Sequence, residues 1–412
     1  MKKGWETKTL EDACKFSNGL WKGEKPPFVK VGVIRNTNFT KEGTLDDSDI
    51  AYLDVEAKKL EKRRLQFGDI ILEKSGGGPK QPVGRVALFE KEDGIFSFSN
   101  FTAALRVLDS RKLDFRFLHK FLHWTYVSGV TEGMQSHSTG IRNLDGDAYK
   151  AIKISFPPLA EQQRIVGVLD EAFAGLATAQ ANAEKNLQNA RALFESHLQF
   201  VFTHRGKGWV EKPLGELCDF LNGFAFKSGD AVAESGTQLL RMGNLYGSKI
   251  DLERNAVFYP ESFAVEYRRF VLNEGDIIMS LTGTTGKEDY GFAVRVPETD
   301  RALLMNQRIA KFDSIREDTV GRDYLLHYLR SRAFLDILYP TANGTRQANL
   351  STVTMKTLPV PLCPISEQKK IASSLDSLAT ETQRLAGLYE QKQAALAALK
   401  KSLLHDAFRG AL

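Results

Sequence analysis

The sequence predicts an α+β protein: two similar globular domains joined by two long antiparallel coiled-coil helices, with a pseudo-twofold internal repeat. Three observations carry that expectation. Motifs recur in order at an offset of about 206 residues, the mark of one unit used twice. The first part of each copy has short apolar runs broken by Gly, Asn, Asp and Pro, which read as strands and turns. The second part of each copy holds a 3.5-residue apolar period over about five heptads, the pattern of a coiled-coil seam.

The repeat opens with Trp5, Leu10, Cys14, Phe16, Asn18 and Gly19, which return as Trp209, Leu214, Cys218, Phe220, Asn222 and Gly223. Gly68-Asp69-Ile70-Ile71 returns as Gly275-Asp276-Ile277-Ile278, and Asn143-Leu144 as Asn349-Leu350. Pro158-Leu159-Ala160-Glu161-Gln162 with Leu169-Asp170 returns as Pro364-Ile365-Ser366-Glu367-Gln368 with Leu375-Asp376. These matches divide the chain into a globular domain over 1–157, a long helix over 158–204, a second domain over 205–363 and a second helix over 364–412.

Within the domains, Ile70–Leu72, Arg85–Phe89 and Ala103–Val107 read as strands. Leu113 to Val127 and Asp323 to Leu338 read as a helix late in each copy. The first seam runs through Ile165, Leu169, Ala172, Leu176, Ala179, Ala183, Asn186, Ala190, Phe194, His197 and Val201. The second runs through Ile371, Leu375, Leu378, Thr382, Leu385, Tyr389, Lys392, Leu396, Leu399, Leu403 and Asp406. Pro157-Pro158 precedes the first helix, and Ser366 with Glu367 opens the second, where a hydroxyl and a carboxylate suit unpaired N–H groups. About 45 residues at 1.5 Å each give a rod of roughly 65–70 Å. A stripe that long cannot be buried on one compact domain, so each helix is expected to pair with the other.

Composition narrows the function. Of 412 residues, 42% are hydrophobic and 26% charged, the balance of a globular protein. No run approaches the roughly 18–20 apolar residues of a membrane span, and no apolar signal region follows Met1, so a cytoplasmic location is expected. Three cysteines without a Cys-x-x-Cys pair exclude a disulfide scaffold. The net charge of +5 matches the surplus of residues 1–158 alone, and the remainder sums to zero. That balance permits nucleic-acid binding without requiring it.

No catalytic set converges. Gly76-Gly77-Gly78 and Gly283-Thr284-Thr285-Gly286-Lys287 follow the Gly-Asp-Ile-Ile strands, but neither has P-loop spacing, and Glu288 stands where a hydroxyl would bind magnesium. They read as tight loops needing positive φ. Lys25-Pro26-Pro27-Phe28 looks like an adenine methyltransferase motif, yet lysine cannot accept the hydrogen bond its first position must take. His119 and His123 stand four apart on a predicted helix, where copy two has Leu326 and Arg330. Cys14 and Cys218 read as small core residues. No cofactor, metal or catalytic residue is expected, which favours a recognition protein over an enzyme.

These residues carry a resemblance. Gly275-Asp276-Ile277-Ile278-Met279-Ser280-x2-Gly283-x2-Gly286, Asn306-Gln307, Gly344-Thr345-x-Gln347-x-Asn349-Leu350-Ser351 and Pro361-Leu362-x-Pro364-x2-Glu367-Gln368-x2-Ile371 together resemble the specificity subunit of type I restriction–modification systems. The likeness covers nearly the whole chain. Copy one departs in Gly140–Leu144, which lacks the Gln, and in Ser99-Asn100-Phe101, which lacks Asn-Gln. The resemblance implies that 1–157 and 205–363 are target-recognition domains, each reading one half of an asymmetric bipartite site on double-stranded DNA. It implies that the helices fix the gap and dock two methyltransferase (M) subunits that methylate adenine. Restriction/translocase (R) subunits join the full complex, and this chain itself is non-catalytic.

Polar residues near the glycines and before Asn-Leu are the candidate DNA contacts: Lys74, Lys80, Arg142, Thr284, Lys287, Arg346 and Gln347. Arg and Lys can pair with guanine edges and Gln with adenine. Lys74 and Lys287 suit phosphate better than bases. The competing expectation is a coiled-coil scaffold presenting two protein-binding domains.

Overall fold

The computed structural model describes residues 4–20, 23–78, 81–138, 141–409 and 411–412. It divides into two compact units, one of residues Met1–Glu184 with Gln391–Leu412 and one of Lys185–Glu390.

In the first unit, an antiparallel four-stranded sheet runs Cys14–Asn18, Thr102–Val107, Ile70–Glu73, Val86–Leu88. A second sheet sets Phe28–Ile34 between Ala51–Glu56 (antiparallel) and Phe96–Phe98 (parallel). Glu6–Thr9 pairs with Lys153–Phe156, bringing the first strand to the edge where the long helix begins. The helix Phe115–Val127 packs Phe117, Leu118 and Leu122 on the sheet residues Ile70, Leu72 and Leu105. The three strands read from sequence are present, each shifted by at most a residue or two.

The second unit repeats this plan. Asp219–Asn222, Ile309–Asp313, Ile277–Ser280 and Ala293–Arg295 form its antiparallel sheet, and Thr237–Leu240 runs parallel to Ala302–Met305. Val210–Pro213 pairs with Pro359–Leu362. The helix expected over Asp323–Leu338 is instead two, Arg322–Arg330 and Arg332–Leu338. Ser331 breaks it: its backbone is extended (φ −74°, ψ 150°), and its hydroxyl caps the new helix by accepting from Phe334 N–H. A serine oxygen offers the next turn an N-cap that competes with continuing the helix.

The long helices span Leu159–Thr203 and Ile365–Arg409, 45 residues each. Ser366 lies one residue inside the second rather than at its cap. Each unit takes the start of one helix and the end of the other into its core, and within each unit the two segments run antiparallel. In the first unit Ile165 and Leu169 meet the domain core together with Leu404 and Ala407. Phe408 sets its ring edge-on to Phe117 and Phe121, at 5.3 and 5.5 Å. In the second unit Ala372 and Leu375 share the core with Leu198 and Phe202, and Phe202 meets Tyr324 and Tyr328 at 5.3 and 5.2 Å.

The most specific repeated motif does this seating. Gln162 is fully buried: its oxygen accepts Asp114 N–H at 2.8 Å, and its amide donates to the Lys112 and Pro157 carbonyls, both at 2.7 Å. Gln368 repeats the arrangement with Gly321 N–H at 2.9 Å and the Thr319 and Cys363 carbonyls at 3.0 and 2.8 Å. Further along each helix, Asp170 pairs with Lys120 at 2.5 Å and Asp376 with His327 at 2.8 Å.

The seam keeps the expected register along most of each helix and departs from it at single positions. Asn186 is exposed and Leu187 is buried in its place. In the second helix Lys392 is exposed, and Gln393 is the half-buried position instead; Leu399 is 48% exposed, and Ala407 rather than Asp406 is buried. Both helices therefore take two successive four-residue steps, Ala179–Ala183–Leu187 and Leu385–Tyr389–Gln393. Each change is local: Ala190 and Leu396 stand again at their expected positions, so a three-residue and a four-residue step have exchanged order within one heptad and no residue is added.

Candidate nucleic-acid interface

Beyond the Gly-Asp-Ile-Ile strand the chain turns out of the main sheet into a small second ladder. In the first unit Ser75–Gly77 runs antiparallel to Ile141–Leu144, which hairpins onto Gln135–Ser138. In the second unit Thr282–Thr284 runs antiparallel to Gln347–Asn349. The rungs correspond: Ser75 faces Asn143 as Thr282 faces Asn349. Leu144 N–H donates to the Lys74 carbonyl at 2.8 Å, as Leu350 N–H does to that of Leu281 at 2.8 Å. The Asn-Leu pair is thus the closing rung of a ladder, and in the second unit Leu350 tucks into the core.

A second repeated feature is a close crossing of backbones. Gly19 and Gly223 let the chain pass against a neighbouring carbonyl; a Cβ at Gly19 would lie 1.8 Å from Ser99 O, and at Gly223 2.1 Å from Asn306 O. The close approach allows Leu20 N–H to reach Phe98 O at 2.8 Å, and Phe224 N–H to reach Met305 O at 2.9 Å. Only glycine fits there.

The candidate contacts fall on or beside these ladders. Arg142 is half-buried opposite Gly77, its guanidinium donating to Gln135 Oε1 at 3.4 Å. Gln135 is itself fixed by donating to Val83 O and Thr131 O. Lys74 donates from Nζ to Asn18 Oδ1 at 3.1 Å, and burial holds its ammonium below the ordinary lysine pKa. In the second unit Thr284 stands opposite Gln347. Asp289 accepts both the backbone N–H and the hydroxyl of Thr284, each at 2.7 Å, and these bonds hold its carboxyl below the usual range. Thr285 donates to Gly344 O at 3.3 Å, tying the glycine loop to the segment that carries Arg346. Arg346 and Lys287 are exposed. Lys80 lies outside the described residues. The structure therefore gathers Lys74 with Arg142 on one ladder, and Thr284, Lys287, Arg346 and Gln347 on the other.

A buried polar network beneath the first ladder had no counterpart among the sequence motifs. Glu73, 1% exposed, accepts from Arg85 at 2.8 and 2.9 Å and from Asn36 at 3.2 Å; Arg85 also donates to Asn36 O at 3.0 Å. Copy two replaces it with Ser280 and with Met242, whose sulfur takes the Thr282 hydroxyl at 2.8 Å. The turn carrying Asn36 has a legible signal. Arg35-x2-Asn38 recurs as Arg241-x2-Asn244, and each Asn accepts the Arg N–H at 2.9 Å.

His119 and His123 are buried, with His119 Nε2 2.8 Å from Gly43 O. Among the described residues no group of three or more His, Cys, Asp or Glu is placed to hold a metal ion. Cys14 and Cys218 are buried, and burial pushes both thiols up to about 12. Among the described residues no helix is long and apolar enough to cross a membrane.

Comparison with known proteins agrees with this geometry. A family model described as type I restriction modification DNA specificity domain matches twice, at residues 2–187 and 206–391. The type I restriction enzyme MjaVIII specificity subunit of Methanocaldococcus jannaschii is 28% identical over 259 residues, 59% of this chain and 59% of that protein. The EcoAI specificity subunit of Escherichia coli is 31% identical over 173 residues, 42% of this chain and 28% of the relative. The matched stretches thus span less than two thirds of these relatives' own length. Among solved structures, a chain from work on complex assembly and conformational transition of the type I R-M system superposes with a TM-score of 0.76 at 20% identity, covering 100% of this chain and 99% of that one. The HsdS subunit from Thermoanaerobacter tengcongensis gives a TM-score of 0.64 at 20% identity, covering 100% and 98%.

Proposed function

We propose a function from one premise: the chain belongs to the family of type I restriction modification DNA specificity domains, which its two copies match along most of their length. Each domain reads one half of an asymmetric bipartite sequence on double-stranded DNA. The long helices fix the gap and dock two methyltransferase subunits, which methylate adenine, and restriction/translocase subunits complete the cleaving assembly. The chain is non-catalytic and works in the cytoplasm. Its recognition domains are 1–157 and 205–363, and its spacers are 158–204 and 364–412.

One observation supports unlike half-sites above all others. The rungs Ser75–Asn143 and Thr282–Asn349 are equivalent, yet the side chains beside them differ: Lys74 and Arg142 on one, Thr284, Lys287, Arg346 and Gln347 on the other. A shared frame carrying different donors and acceptors suits two domains that read different bases in the major groove. Lys80, adjoining the first ladder in sequence, belongs with the same set. The reading is tested by mapping N6-methyladenine in cells that express this chain with its methyltransferase, against cells lacking the chain. A new motif of two unlike halves around a fixed gap is expected. No new motif, with the complex shown to form, would overturn the reading.

A further inference from the structure

The surplus positive charge of the first copy is concentrated on one short segment. Residues 57–64, Ala-Lys-Lys-Leu-Glu-Lys-Arg-Arg, carry five cations and one carboxylate, a net +4. The equivalent segment of copy two, residues 264–271, carries two cations and one carboxylate, a net +1. The first is a helical turn, Ala57–Glu61, continued into the loop that enters the Gly-Asp-Ile-Ile strand. Its one apolar residue beyond Ala57, Leu60, is buried, which turns Lys58, Lys59, Lys62 and Arg64 outward to solvent.

These side chains border two adjoining hollows. One, of about 520 Å³, is lined by Lys62, Arg63, Arg64 and Lys15 together with Ser17 and Asn18. The other, of about 1210 Å³, is lined by Lys58, Lys59, Lys62 and Arg63 with Lys25, and includes Glu24 and Glu56. The face keeps a cationic excess: among the described residues eight Lys and Arg side chains line the two hollows against four carboxylates, Glu24, Glu56, Glu61 and Asp69. Asp69 is engaged by both nitrogens of Arg106, at 2.7 Å each. Glu56 faces the backbone N–H of Lys25. Among the described residues none of Lys15, Lys58, Lys59, Lys62 and Arg64 makes an ion pair. The first hollow also adjoins the ladder, since Asn18 in its wall accepts the hydrogen bond from Lys74.

We propose that this face, centred on Lys58, Lys59, Lys62 and Arg64, binds the phosphodiester backbone of duplex DNA, so that the first domain holds its half-site with a charge grip that the second lacks. The inference rests on the reading of the chain as a DNA reader and adds residues that reading does not include. Among the described residues the lining is polar with cations in excess, and its apolar members are Phe28, Phe98 and Ala104, which suits phosphate rather than a protein partner. Backbone contacts set register and affinity but carry no base information. Removing them therefore weakens binding to every sequence alike.

The test uses the full chain and a random duplex labelled for anisotropy, titrated between 50 and 200 mM salt. The triple variant Lys58→Gln, Lys59→Gln, Lys62→Gln is compared with a charge-matched control, Lys41→Gln, Lys153→Gln, Lys207→Gln, with circular dichroism confirming that both fold. Each phosphate that the protein no longer neutralises reduces the slope of log K against log salt by about 0.9, so the groove variant should fall by roughly 2–3 in slope. The control should fall by less than about 1. Expressed with its methyltransferase, the groove variant should mark the same motif as the unaltered chain, at lower occupancy. Equal slopes for the two variants would overturn the proposal and leave only bulk charge. Unchanged DNA binding with failed methyltransferase assembly would also overturn it, and make the face a protein interface. An unaltered chain without salt-dependent DNA binding would overturn the functional reading as well, whereas intact binding with an unaffected groove variant would overturn only the groove.

Discussion

The side-chain oxygen of Gln162 accepts the backbone N–H of Asp114, the residue that caps the helix Phe115–Val127 through its own carboxylate. Gln368 does the same to Gly321, which precedes the helix Arg322–Arg330. A glutamine near the start of each long helix thus holds the first turn of the domain helix, and two further carbonyls take up its amide hydrogens. The repeated Glu-Gln motif is a joint between spacer and domain.

Removing that joint should be costly. Gln162→Leu keeps the volume but leaves Asp114 N–H and the Lys112 and Pro157 carbonyls unpaired in a buried place. At about 1–3 kcal/mol for each buried unsatisfied group, partly relieved by water, the expected loss is about 2–4 kcal/mol. Urea unfolding should show it, and Gln368→Leu should match it in the second unit. A change under about 0.5 kcal/mol would show that the joint contributes no stability.

The two ladders should be separable by specificity. Arg142→Ala is expected to relax discrimination at one position of the first half-site, by about 1–3 kcal/mol, while leaving the second half unchanged. Gln347→Ala should do the reverse. Methylation mapping reads both outcomes in one experiment. Relaxation of both halves by either single change would show that these side chains act through the fold.

Acid should weaken the first unit. Burial, the largest cause, holds the pKa of His119 down to about 3 and of His123 to about 4, from the ordinary 6.5. Between about pH 6.5 and pH 4 the unfolded chain therefore binds protons that the folded chain refuses, and stability falls as pH falls. Two such groups give a slope of up to about 3 kcal/mol per pH unit near pH 5. Thermal unfolding from pH 7 to pH 5 should show the decline. His119→Gln with His123→Gln should flatten it, and an equally steep decline in that variant would assign the effect elsewhere.

The seam slip predicts a contrast between neighbours. Leu187→Ala should destabilise by about 2–5 kcal/mol, as buried leucine truncations do. Asn186→Ala, one residue before it, should stay within about 0.5 kcal/mol. Denaturant midpoints decide the register: the opposite order would restore the uninterrupted heptad.

Much of this architecture was legible because it is written twice. The repeated Asn-Leu pairs were visible as a motif, and they are the rungs that close the ladders. The Asn-Gly pairs were equally visible, and they mark where backbone meets backbone. What escaped has physical reasons. The slip at Leu187 and Gln393 changes the spacing by one residue, and a period counted over five heptads absorbs it. The break at Ser331 depends on one hydroxyl choosing the next turn. The Glu73–Arg85–Asn36 network joins residues far apart in one copy and has no twin in the other, so repetition could not reveal it. The Lys58–Arg64 run is contiguous in the sequence but was merged into a domain-wide charge sum; what the structure adds is that Leu60 is buried and the flanking cations face solvent.

The second unit is one unbroken stretch, Lys185–Glu390, whereas the first needs two stretches separated by all of it. Leu10 and Ile70 share their core with Leu404 and Ala407, which are translated last among them. Synthesis order and completion order are therefore reversed: the half made first waits, with Phe117 and Phe121 unroofed, until Phe408 has emerged. Nascent chains stalled with Glu390 clear of the ribosome should protect the second unit from protease while the first is still cut. Such a chain exposes an apolar face for most of its time on the ribosome, which makes the first half the natural client of a chaperone.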